Sequence, residues 1–138
     1  MDYRFLSNVK VYFRDIDMMG HVNNAVYLNY LEVARMDLFD TVFGADGFER
    51  FPYVLADVHA KYLSSAHIRD VLEIGIRIPH IGRKSFKLEY CIRDAATKRV
   101  MCEADTVQVM FRYREEQSYD VPDEFRRALE AFQEGQES

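Results

Sequence analysis

The chain carries neither proline nor glycine from Asn24 to Phe43, and Gly44 follows at once, so one long helix with an asparagine start and a glycine stop constrains every other element. At about 100° per residue, Tyr27, Leu28, Leu31, Ala34, Leu38, Phe39 and Val42 share one broad sector, while Asn29, Asp37, Asp40 and Thr41 lie opposite. The helix is therefore expected to be mostly buried. About 19 residues at a rise of about 1.5 Å span ~28 Å, enough to cross a small domain. Arg35 falls inside the apolar sector, where a lone guanidinium is costly, so it requires a partner. Glu32, one turn earlier, is the nearest candidate.

Immediately before the helix, the stretch DIDMMGHVNN gathers Asp15, Asp17, Gly20, His21, Asn23 and Asn24. Two carboxylates, an imidazole and two carboxamides at a helix start make either a chemical site or an elaborate cap. Asn23 or Asn24 suits the N-cap, because its side-chain oxygen accepts from the first free amides. The Asp17 carboxylate either caps the loop or meets a substrate carbonyl, and Asp15 is expected in an ion pair or turn bond. His21, with no metal-ligand partner nearby, either hydrogen-bonds the loop backbone or orients an attacking water.

Strands flank this centre. Asn8 to Phe13 alternates Val9, Val11 and Phe13 against polar neighbours. Val54 to Tyr62 alternates with Val54, Ala56, Val58, Ala60 and Tyr62 on one side. Leu72, Ile74, Ile76 and Ile78 mark a third strand ended by Pro79, and Phe86, Leu88, Tyr90 and Ile92 mark a fourth, joined to it as a hairpin. Val100 to Tyr113 is a fifth, whose apolar phase shifts near Ala104 to Val107, as a bulge would cause. Val121-Pro122-Asp123 opens a short helix with Phe125, Leu129 and Phe132 on one face, and the tail GQES is expected to fray. The order describes an α+β domain, an antiparallel five-stranded sheet wrapped around one helix.

A chain of 138 residues that is 49% hydrophobic is one domain, 1–138, with a continuous core. The aromatic content of 14% and a sheet left open on its outer face make burial by association expected. Met1 to Leu6 is too short and polar for a signal peptide, and no apolar run approaches a membrane span, so a cytoplasmic protein without membrane partners is expected. A net charge of −5 and a pI near 5.4 argue against nucleic acid. Cys91 and Cys102 read as reduced packing thiols. His59, His67 and His80 are too scattered in sequence to argue a metal site.

The motif D-x-D-x-x-G-H-V-N-N-x-x-Y-x-x-Y-x-E-x-x-R, from Asp15 to Arg35, resembles the signature of hotdog-fold acyl-CoA thioesterases of the 4-hydroxybenzoyl-CoA thioesterase superfamily. Its wording after the glycine is similar to the branch acting on fatty acyl thioesters. The resemblance implies the hotdog fold, an acyl-CoA substrate, no metal or redox cofactor, and homodimers or homotetramers with sites at subunit interfaces. It makes Asp17 the general base or nucleophile and brings His21, Asn23 and Asn24 into the site. The Asn24 and Ala25 amides become candidate oxyanion donors, since a helix N-terminus favours growing negative charge. Met18 and Met19 line an acyl path or pack the core. The basic turn Arg83, Lys84 and Ser85, flanked by Arg77 and Lys87, becomes a candidate holder of coenzyme A phosphates at the mouth of the site. Plant acyl-carrier thioesterases share much of the motif but carry Asn where Met19 stands. The alternatives are a thioesterase acting on an acyl carrier protein, a non-catalytic acyl-CoA binding module and a hotdog dehydratase, whose pattern the GHVNN spacing does not resemble.

Overall fold

The structure, a computed structural model, describes residues 3 and 5–137. One antiparallel sheet contains β1 (Phe5–Lys10), β2 (Tyr53–Tyr62), β3 (Val71–Ile81), β4 (Ser85–Asp94), β5 (Val100–Arg112) and the two-residue β6 (Gln117–Ser118). Their spatial order is β1-β3-β4-β5-β2, with β6 paired to the end of β5. Against one face lie α1 (Asn24–Phe43) and α3 (Asp123–Glu137), and the single turn α2 (Gly47–Arg50) follows α1. This is the hotdog architecture, five main strands around a central helix with a shorter C-terminal helix.

The helix begins and ends where its caps require. Asn23 Oδ1 accepts from the Ala25 amide at 2.9 Å, and Gly44, at φ 88°, turns its N–H back onto the Asp40 carbonyl. Tyr27, Leu31, Ala34, Leu38 and Phe39 are buried against Leu72, Ile74 and Ile76 of β3 and Phe86, Leu88 and Ile92 of β4. Each large side chain among them contributes about 1.5–3 kcal/mol of apolar burial. Phe125 and Leu129 of α3 complete the core, and Phe132 meets Phe5 edge-on. Leu28, expected in the buried sector, is 39% exposed because it lies at the flank that the sheet does not reach.

Arg35 is buried as expected but does not pair with Glu32. Its Nη1 donates to the Tyr90 hydroxyl at 3.1 Å, and Tyr90 in turn shares a 2.6 Å hydrogen bond with Thr106. The partner comes from the sheet beneath, because Glu32 lies on the exposed side of the helix.

Several strand readings need correction. β1 ends at Lys10, and Phe13 begins a 3-10 turn, Phe13–Asp15, in which it is exposed. β3 passes Pro79 instead of ending there, because the ladder shifts register between Arg77 and His80 and so requires no N–H from the proline. In β2 a bulge at Ala56 resets the alternation, so Leu55, Val58, Ala60 and Tyr62 face inward and Val54 does not share their side. No bulge occurs at Ala104 to Val107. The inward set there is regular but partly polar: Thr106 and Gln108 fill core positions, with Gln108 Nε2 donating to the Phe86 carbonyl at 3.1 Å. Met101 is the unpaired residue of β5 instead. The backbone of α3 continues through Glu137, into the stretch expected to fray, and Ser138 lies outside the described residues.

The outer face of the sheet is not apolar. It carries Glu73, Arg77, Lys87, Glu89, Arg93, Glu103 and Asp105, whereas Leu55 and Val58 leave apolar surface uncovered on the inner side of edge strand β2. Cys102 is buried on the inner face, where burial pushes its thiol up to about 11, and Cys91 is half-buried on the outer face. Among the described residues, no helix is long and apolar enough to cross a membrane.

Replacing Tyr90 with Phe removes the hydroxyl that serves both Arg35 and Thr106 and leaves a buried guanidinium without that acceptor. Urea unfolding should show a loss of about 2 kcal/mol, whereas a surface Tyr12→Phe change should leave the midpoint unmoved.

Candidate active site

The polar stretch before α1 folds into a small, tightly bonded loop. Ile16 and Val22 form an isolated antiparallel bridge, and between them Asp17 and Gly20 occupy the ends of a four-residue turn closed by Gly20 N–H donating to the Asp17 carbonyl at 3.0 Å. Gly20 adopts φ 80°, a left-handed conformation that a side chain would strain. The Asp17 amide donates to the His21 carbonyl at 2.8 Å, so the loop is closed from both sides.

The two Asp17 oxygens have different surroundings. Oδ1 accepts from the Met19 amide at 2.9 Å and the His21 amide at 3.3 Å. Oδ2 has no partner among the described residues, and the side chain is exposed. Asp15 is structural in the manner expected: its Oδ2 accepts from the Tyr12 amide at 3.0 Å, and its carbonyl accepts from the Asn23 amide at 3.2 Å. Burial, and after it the nearby Asp15 carboxylate, push the Tyr30 hydroxyl's pKa upward.

At the helix start, Asn23 is a cap. Its side chain takes the Ala25 amide and its carbonyl takes the Val26 amide at 2.9 Å. The Ala25 amide is thus engaged, and of the two expected oxyanion donors only the Asn24 amide has no partner among the described residues. Asn24 also lines a cavity of about 200 Å³ with Tyr27, Tyr62, Leu63, Ser64 and Ser65. Tyr62 closes one side by donating to the Asn24 carbonyl at 3.2 Å. Met18 and Met19 are not core residues: both are exposed, at 103% and 77%.

The basic turn lies elsewhere. Arg83 Nε sits 3.4 Å from Asp120, Lys84 Nζ donates to Ser118 at 3.3 Å, and the Ser85 carbonyl closes the turn by accepting from Gly82. The turn adjoins the C-terminal end of α1, where Phe39 meets Phe86, and α1 at about 1.5 Å per residue is ~30 Å long. Within one chain, therefore, Arg83, Lys84 and Ser85 do not stand at the mouth of the Asp17 loop. A surface cavity of about 720 Å³ is also remote from it, on the charged outer face.

One residue at the loop was missed in the sequence. His67 comes from the connection between β2 and β3, bridges His21 through the backbone, and sets its ring 4.9 Å from that of His21. Forty-six positions separate the two in the chain, so local spacing carried no signal of the contact. Among the described residues, no three His, Cys, Asp or Glu side chains converge as a metal-ligand set.

A curled sheet around a capped central helix, with an acidic loop at the helix start, defines a hotdog-fold thioesterase. The chain belongs to the thioesterase-like superfamily, whose family model matches residues 11–129. It is similar to the long-chain acyl-CoA thioesterase FadM of Escherichia coli, at 26% identity over 129 residues covering 90% of this chain and 96% of that protein. It is also 31% identical to the acyl-CoA thioesterase YbgC of Helicobacter pylori over 63% of this chain and 68% of that one. Among solved structures, a thioesterase from Thermus thermophilus, crystallised with coenzyme A and Zn, superposes with a TM-score of 0.84 at 29% identity, covering 94% of this chain and 93% of the other.

Asn23→Ala removes the cap, and thermal unfolding should show a loss of about 1 kcal/mol, while Asn23→Ser should recover most of it.

Proposed function

We propose that this chain hydrolyses an acyl-CoA thioester to the free acid and coenzyme A, with Asp17 as general base or nucleophile. The observation that carries the reading is the division between the two Asp17 oxygens. Oδ1 is occupied in holding the loop rigid, whereas Oδ2 of this exposed side chain has no partner among the described residues, in the loop that leads into the helix start. As base, Asp17 takes a proton from water while the water oxygen attacks the thioester carbon. The carbonyl oxygen becomes an oxyanion that the Asn24 amide and the helix dipole stabilise. The C–S bond then breaks, and the thiolate leaves and takes up a proton. As nucleophile, the carboxylate attacks the thioester carbon and expels the thiolate, which takes up a proton, and water then opens the resulting mixed anhydride to the free acid and the Asp17 carboxylate. Asn23 acts by fixing the helix start, and His21 by facing the same loop.

The site is composite in this reading. β2 is a ten-residue strand with one edge unpaired among the described residues, and its Leu55 and Val58 are uncovered. Two copies paired antiparallel along β2 run their α1 helices in opposite directions, which sets the Arg83–Lys84–Ser85 turn of one copy at the same end as the Asp17 loop of the other. The ~30 Å separation within one chain then becomes proximity between chains. The acyl chain lies along the apolar inner side of β2, and the turn holds the phosphates of coenzyme A. The FadM and YbgC relatives, both acyl-CoA thioesterases, support the substrate class. A homodimer is the smallest assembly that completes the site, and pairs of dimers as homotetramers are compatible with it.

Asp17→Asn keeps size and hydrogen bonding to the loop amides but removes the reactive oxygen. Free-thiol release from acyl-CoAs of graded chain length should fall at least about 100-fold with an unchanged melting curve. A near wild-type rate per active site would exclude Asp17 from the chemistry, and a blank across the whole panel in the wild type would favour a binding module. Arg83→Ala with Lys84→Ala removes contacts made equally in ground and transition states, so KM for acyl-CoA should rise while kcat stays nearly constant. Added salt should weaken the wild type more than this variant, and a truncated thioester lacking the nucleotide should not distinguish the two. Loss of kcat on both substrates would instead show that the turn shapes the assembly.

A further inference from the structure

We propose that His67 is a positioning residue for catalysis, acting through His21, and this rests on the reading of the Asp17 loop as the reacting centre. The His21 backbone is fixed by its bonds to Asp17, but its ring has no hydrogen bond among the described residues. What fixes the ring is His67, whose plane stands at 87° to it with the centroids 4.9 Å apart. In such an edge-to-face pair the positive edge of one ring meets the negative face of the other, which favours one rotation about the His21 side-chain bonds. That rotation decides which imidazole nitrogen is presented to water or substrate beside Asp17.

His67 is itself held firmly. Its amide donates to Asp70 Oδ2 at 2.9 Å, its carbonyl accepts from the Asp70 amide at 3.1 Å, and its Nδ1 stands 3.9 Å from the same carboxylate. The segment is pinned on both sides: the Ala66 carbonyl accepts from Val22 at 2.9 Å, the Ala66 amide donates to the Tyr27 hydroxyl at 3.1 Å, and Arg69 and Asp70 exchange hydrogen bonds with Val11. Arg69 adopts φ 72°, a left-handed conformation that a side chain rarely takes and that this bonding enforces. A strained, well-bonded turn thus holds one half-exposed imidazole perpendicular to another. His67 does not touch the reacting atoms in this arrangement. It removes a freedom from a ring that does.

The test is a double-mutant cycle on acyl-CoA hydrolysis, with Asp17→Asn in the same assay. His67→Ala should lower kcat roughly tenfold with KM within about twofold, the size expected when a supporting group is lost and a reacting group is misoriented. His67→Phe keeps an aromatic edge without the ring nitrogens and should restore most of kcat. In the His21→Ala background, His67→Ala should cost nothing further. Additive losses, an unaffected His67→Ala rate, or failure of Phe to restore the rate in a protein with wild-type melting behaviour would each overturn the proposal. If His67→Ala does not fold, His67→Phe and His67→Gln carry the comparison, with rescue by Phe and loss by Gln expected. Turnover that depends on Asp17 together with additive histidine effects sinks only the positioning role, whereas turnover indifferent to Asp17→Asn sinks both readings.

Discussion

The structure depends on α1 lying across the inner face of the sheet. Tyr27, Leu31, Ala34, Leu38 and Phe39 are all buried there, so the helix can neither slide nor rotate without exposing large apolar area. Its N-terminus is thereby held at one end of the sheet, and the polar loop that caps it is displayed there. Tyr27 shows how tightly these levels are joined. Its ring is part of the core, and its hydroxyl accepts the Ala66 amide, so the residue that anchors the helix also anchors the segment bearing His67. Burial and hydrogen bonding in one side chain make the site a rigid extension of the core.

What was legible in the sequence was local. Asn23 or Asn24 and Gly44 announced the ends of α1, and the alternation of Leu72 to Ile78 and Phe86 to Ile92 announced β3 and β4, because each signal sits within one turn or one strand. That the Asp17 carboxylate caps its own loop was one of two readings the local sequence offered. The rest depends on contacts between distant segments. β5 misled because Thr106 and Gln108 occupy inward positions, and only the hydroxyl of Tyr90 and the carbonyl of Phe86 explain how polar groups sit there. Arg35 misled because its partner lies across the layer interface, 55 positions away. The basic turn was legible as a charge cluster, but its distance from Asp17 is a property of topology. No spacing rule predicts which end of a helix a hairpin will reach.

The two faces of the sheet are finished differently. On the outer face, Glu73 takes hydrogen bonds from Arg93 at 2.6 Å and Lys98 at 2.8 Å. Burial alone would raise its carboxyl, but those two bonds outweigh it and hold it below its ordinary value. Tyr3 covers the same region, lying on Gly75, where any side chain would collide with its ring, and stacking on Arg77 at 4.8 Å. A face finished in this way offers little to an acyl chain. Uncovered apolar surface is left to the inner side of β2, at Leu55 and Val58.

The bulge at Ala56 divides β2 into two stretches, Tyr53–Leu55 and Asp57–Tyr62, that are out of phase with each other. A straight extended segment from a foreign or half-folded chain can follow one of these stretches, but it loses alignment at the kink and cannot continue along the other. The kinked edge therefore gives stray strands only a short grip, which guards a long edge against indiscriminate aggregation without a covering helix.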